Sequence, residues 1–84
     1  MLRITQVRED GDTIHLKVEG RVIGDGVSEL DRTCEDSLSR NQRIILDMSD
    51  VTYIDRQGVD ALKRILGNNV QLTDATLLLQ ALLG

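Results

Sequence analysis

Residues 44–66, IILDMSDVTYIDRQGVDALKRIL, form a strand-to-helix passage around which the rest of the chain can be arranged. Ile44, Ile45 and Leu46 make a short, mostly β-branched apolar run closed by Asp47, the pattern of a fully buried strand that stops at a sheet edge. Further on, Val59, Leu62, Ile65 and Leu66 recur by threes and fours and mark one face of a helix. Asp55 stands where an N-cap carboxylate meets the first free amides of that helix. The segment therefore predicts a strand, a polar loop and a helix N-terminus. Such an end carries roughly half a positive charge and unpaired N–H groups, so it suits a phosphate or an acidic partner, and geometry alone does not choose between them.

Upstream, Leu2, Ile4 and Gln6 alternate with Arg3, Thr5 and Val7 in a strand pattern. Glu9-Asp10-Gly11-Asp12 predicts a hairpin turn, because Asp-Gly supplies the positive φ that tight hairpins need. Thr13 to Glu19 alternates cleanly, with Ile14, Leu16 and Val18 inward and His15, Lys17 and Glu19 outward. His15, the sole histidine, falls on the polar face without a second ligand nearby and reads as a solvated strand residue. Val22 and Ile23, between Gly20 and Gly24, predict a brief third strand. Asp25 is placed as the cap of a helix from Gly26 to about Ser39, with the apolar stripe Val27, Leu30, Cys34 and Leu38.

Downstream, Gly67-Asn68-Asn69 predicts the end of the second helix, since both residue types tolerate the left-handed conformation. Val70-Gln71-Leu72 reads as a last short strand, and Asp74 or Thr76 as the cap of a final helix through Leu83. Leucines point in nearly every direction around that helix, so residues 77–83 are a candidate homodimer contact. The order β-β-β-α-β-α-β-α predicts an α/β fold: a small, mostly parallel or mixed sheet with helices packed mainly on one face.

Residues 47–59 resemble, without a gap, the signature of the STAS domain family, which includes the bacterial anti-sigma factor antagonists and the cytoplasmic tails of sulfate transporters. The family pattern is Asp-Leu-Ser-x-Val-x-Phe-Met/Ile-Asp-Ser-Ser-Gly followed by an apolar helix. The chain has Asp47-Met48-Ser49-Asp50-Val51-Thr52-Tyr53-Ile54-Asp55-Arg56-Gln57-Gly58-Val59. In the antagonists the second serine of Asp-Ser-Ser-Gly receives phosphate from a partner kinase, and Gln57, which has no hydroxyl, stands at that position. A second departure is Ile23, where antagonists commonly have an aspartate that helps to engage the kinase. The resemblance implies a domain that keeps the fold and the docking helix without the phosphoserine switch. Its expected partner-binding residues are Asp55, Arg56, Gln57, Gly58, Asp60, Lys63 and Arg64, in the loop and helix 55–66. The implied partner is a kinase-type anti-sigma factor, a signalling assembly, or a transporter subunit of the kind that recruits STAS proteins in lipid-transport ABC systems.

The chain's 84 residues predict one domain over 1–84, and a chain this short buries only about 60 to 65% of its unfolded surface. With 29% charged and 40% hydrophobic residues it falls in the range of a folded globular protein rather than a disordered one. A formal charge of −4 and a single aromatic residue, Tyr53, argue against nucleic acid as partner, which wants cations and stacking platforms. The start MLRITQVRED does not read as a leader and no stretch approaches the roughly 20 apolar residues of a membrane span, so a cytoplasmic, non-spanning protein is expected. Cys34, alone and on an apolar stripe, reads as a small buried hydrophobe.

Asp47, Asp50 and Asp55 invite a Mg²⁺ site, yet strand end, turn bond and helix cap account for them without an ion, so neither metal nor cofactor is expected. No glycine-rich phosphate loop occurs, and catalysis is not expected. A distant rival is a receiver-like domain phosphorylated on Asp47, but it lacks the acidic pair and late-strand lysine that such chemistry needs. A nucleotide or small-ligand module is a further alternative, with the anion at the helix N-terminus. Ser49 and Thr52 are the hydroxyls nearest the signature that a kinase could use in place of residue 57.

Overall fold

The computed structural model describes residues 2–67 and 69–73. These form β1 (Leu2–Asp10), β2 (Thr13–Val22), α1 (Asp25–Ser39), β3 (Arg43–Ile54), α2 (Arg56–Ile65) and β4 (Val70–Thr73). The sheet order is β1-β2-β3-β4; β1 runs antiparallel to β2, and β3 lies parallel to both β2 and β4. Gly11 makes the β1–β2 turn at φ 64°, as the Asp-Gly pair requires. The final helix expected through Leu83, and the dimer contact at 77–83, lie outside the described residues.

Alternation decides which face is dry. Ile14, Leu16 and Val18 of β2 and Ile44, Leu46 and Met48 of β3 are buried, and they meet Leu30 and Cys34 of α1 and Leu62 and Ile65 of α2. Both described helices therefore cover one face of the sheet, as the periodicity predicts. The α1 stripe holds as expected, with Val27 and Leu38 half-buried at its ends. The α2 stripe is centred slightly differently, on Gly58, Ala61, Leu62 and Ile65. Burial of Cys34 pushes its thiol up to about 11, with the charge of Asp31 adding to the effect, so the group is inert packing near neutral pH.

Three expectations change. The brief strand at Val22 and Ile23 is not separate, because β2 runs on through Gly20, at φ 94°, to Val22. Asp25 does not cap α1; Gly24, at φ 54°, occupies that position, and Asp25 lies inside the first turn. The largest change is β3, which does not stop at Asp47 but spans 12 residues to Ile54. Ile45 is accordingly half-buried, as one member of an alternating strand rather than a fully buried run.

Register explains how a polar segment stays in the sheet. Opposite the step Lys17 to Glu19, β3 advances from Asp47 to Asp50, and opposite Gly20 to Arg21 it advances from Val51 to Tyr53. Each extra residue reverses which side the next side chain faces. Met48 is buried, Asp50 is turned outward, Val51 packs back on the core, and Tyr53 is turned outward again. Thr52, the second extra residue, donates its hydroxyl to the Gly20 carbonyl at 3.2 Å. The strand is thereby carried to the start of α2 with Asp55 as its sole link.

Candidate functional site at the start of α2

The ends of β2 and β3 hold α2 in place from below. Asp55 donates its backbone N–H to the carbonyl of Val22 at 3.3 Å, which ties the link to β2. Its side chain accepts from the Gly58 N–H at 2.7 Å, the N-cap bond expected from the sequence. Gly58 is buried, and a Cβ there would come within 2.7 Å of both Ile54 Cγ1 and the Val22 carbonyl oxygen. One contact is backbone, so the clash cannot be relieved by turning a side chain. Glycine at this position lets the helix sit directly on the strand end.

The seven candidate residues fall into two groups on this frame. Asp55 is half-buried and committed to its cap, and Gly58 is buried. Arg56, Gln57, Asp60 and Lys63 are exposed along the outer side of α2. Arg64 is also largely exposed, but its guanidinium donates to Asp31 Oδ2 of α1 at 3.1 Å. It is thus partly a link between the helices, which spacing within α2 could not reveal because Asp31 is distant in sequence. Ile23 is half-buried between β2 and α1.

Sequence reasoning passed over two residues beside this site. Tyr53 is 56% exposed, one of two large hydrophobic side chains so placed among the described residues. Arg21 stands directly opposite it in the β2–β3 register and is exposed as well. What hides it is the apparent strand end at Asp47: once β3 is known to run on, alternation from Ile44 gives Tyr53 the outer side, and the two bulges cancel and keep it there.

Asp47, Asp50 and Asp55 each have a separate task. Asp47 accepts from the Ser49 N–H at 3.0 Å and the Ser49 hydroxyl at 2.8 Å, and these bonds, the backbone one first, hold its carboxyl below the ordinary range. Asp50 pairs with Lys17 at 2.9 Å, and that hydrogen bond and charge hold the Lys17 amine above its usual value. Asp55 serves the helix. Among the described residues no three His, Cys, Asp or Glu side chains converge as metal ligands. Asp47 also lies within a strand rather than at its end, which removes the geometric basis for a receiver-like phosphoacceptor.

Comparison with known proteins agrees with this architecture. The family model described as "Mlab, STAS domain" matches residues 5–83. The chain belongs to the STAS domain family. The solved structure of the anti-sigma factor antagonist SpoIIAA in its unphosphorylated form superposes with a TM-score of 0.77 at 10% identity, covering 94% of this chain and 79% of that one. A crystal structure of Mglu is similar over 83% of this chain and 19% of its own, with a TM-score of 0.65 and 18% identity. At these identities the likeness is one of fold. No curated protein matches the chain in sequence. No helix among the described residues is long and apolar enough to cross a membrane.

Proposed function

We propose that this STAS domain is a non-enzymatic protein-interaction module that docks its partner through the loop and helix 55–66 and does so without a phosphoserine switch. The observation that carries this is the combination of a firmly seated helix start with an outward row of Arg56, Gln57, Asp60 and Lys63. Polar groups on a rigid element keep their geometry before binding, which limits the ordering cost of association. Gln57 lacks the hydroxyl that the antagonists phosphorylate, so binding is governed by partner concentration rather than by modification at this position. The partner is a kinase-type anti-sigma factor, a larger signalling assembly or a transporter subunit, met in the bacterial cytoplasm. An anti-sigma factor would give the domain a role in transcription regulation.

The test is affinity capture from native lysate with the wild-type chain, Gln57→Glu and Lys63→Glu, followed by mass spectrometry. Both positions are exposed, so the variants are expected to fold normally. A protein retained by wild type and lost by both variants supports docking through α2. Retention unchanged in both places the interface elsewhere. Recovery of phosphate on Ser49 or Thr52 after incubation with a kinase partner would overturn the switch-free part.

A further inference from the structure

We infer that the exposed ring of Tyr53, with Arg21 on the neighbouring strand and Arg56 at the first position of α2, anchors an acidic, leucine-bearing segment of a protein partner. This rests on the docking surface proposed above and adds the chemistry of what it recognises.

The first support is the distribution of charge. The chain is acidic overall, at −4, but the excess is not spread evenly. Helix α1 holds Asp25, Glu29, Asp31, Glu35 and Asp36 against Arg32, whereas α2 holds Arg56, Lys63 and Arg64 against Asp60. Among the described residues, Arg21 and Arg56 have no carboxylate partner within 4.0 Å. Of the nearby carboxylates, Asp50 pairs with Lys17 and Asp55 caps α2, while Glu19, opposite Arg3 in the β1–β2 register, and Asp60, one turn along α2 from Arg56, make no ion pair within 4.0 Å among the described residues.

The second support is a broken local rule. The first turn of a helix favours a carboxylate by about 0.3 to 1 kcal/mol, and α1 obeys with Asp25. In α2 that turn contains no acid and begins with Arg56. The acid of this helix start is instead the N-cap Asp55, whose carboxylate is committed to the Gly58 N–H, and Arg56 beside it keeps its charge exposed for an incoming anion. The third is the aromatic ring itself. Tyrosine and arginine are the side chains most often enriched at energetic centres of interfaces, where the ring must be covered to contribute. An acidic segment with an interspersed leucine meets both needs, through charge on the arginines and apolar cover on the ring.

Tyr53 is the sole tyrosine and the chain has no tryptophan, so its fluorescence reports this spot alone. Isotope-labelled chain would be titrated with a short glutamate peptide carrying interspersed leucines, and with the lysine counterpart. The expected result is a change in Tyr53 fluorescence with amide shifts at residues 21, 53 and 56 for the glutamate peptide alone, weakening as salt rises. Arg21→Glu, Arg56→Glu and Tyr53→Ala should each lower the affinity about tenfold, with circular dichroism unchanged. Shifts centred elsewhere, or an equal response to the lysine peptide, overturn the inference. If lysate capture depends on Gln57 and Lys63 but ignores Arg21→Glu and Tyr53→Ala, the docking surface stands and this anchor falls. If wild type captures nothing and the peptide does not bind, both fall together.

Discussion

The two helices begin in opposite ways, although both leave the same end of the sheet. α1 starts after Gly24 without a side-chain cap, places Asp25 in its first turn, and leaves a Cβ at Gly26 3.2 Å from the Leu2 Cβ and Cδ2 and 3.6 Å from the Arg21 carbonyl oxygen. α2 has a tight carboxylate cap, a glycine packed on backbone and a cation in its first turn. The first start is loosely built and electrostatically satisfied. The second is firmly built, with its carboxylate committed to the cap and an exposed cation beside it, which leaves Arg56 free for a partner.

The largest effect should separate the two glycines. Gly58→Ala is expected to cost about 3 kcal/mol, because overpacking against a backbone carbonyl outweighs the helix propensity that alanine adds. Gly26→Ala should cost less, about 1 kcal/mol or below, since its contacts with Leu2 are 3.2 Å rather than 2.7 Å and the propensity gain offsets part of the small shift that the Leu2 Cβ requires. Denaturant unfolding of both variants checks this, and equal values would show that the strand end does not constrain α2.

The caps come next. Asp55→Ala should lose about 1 kcal/mol with its bond to Gly58, whereas Asp25→Asn, which forfeits only a favourable charge at the helix start, should lose about 0.4 kcal/mol. Thermal melts at low salt would resolve the difference. A larger loss at Asp25 would mean that the weaker-looking helix start is the one that matters for stability.

Much of this contrast was legible in the sequence. Asp55 three residues before Gly58 is a cap by spacing, and the α1 stripe of Leu30 and Cys34 follows from helical period. The length of β3 was not, although Ile44, Leu46 and Met48 alternate with Asp47 and Ser49, because aspartate and serine clusters also mark turns. What overrides that signal is pairing with β2, which continues beyond Asp47 to Ile54 through two bulges and is not a local property. The Arg64–Asp31 link is likewise non-local, and the exposure of Tyr53 is legible only once β3 is known to run past Asp47.

The smallest effect lies on the outer sheet face. Removing the Ser49 hydroxyl and its bond should let the Asp47 carboxyl rise toward the ordinary aspartate range in Ser49→Ala, read by carboxyl-carbon titration. With its folded value held low, Asp47 contributes stability that is present above the unfolded carboxyl range and lost as pH falls through the folded value. That acid-side loss should shrink in Ser49→Ala. An unmoved titration would show that the backbone N–H of Ser49 alone sets the carboxyl.

The central claim is that α2 begins with a surface kept for a partner rather than for the fold, and Arg56→Glu tests both halves at once. The decisive measurement is its affinity for the protein captured by wild type, with a thermal melt of the same preparation. The predicted result is binding weakened about tenfold or more, alongside stability within about 0.5 kcal/mol of wild type, since the acid gained at the helix start is set against repulsion from Asp60 one turn on. Undiminished binding, or a loss of binding that follows a loss of stability, would contradict it.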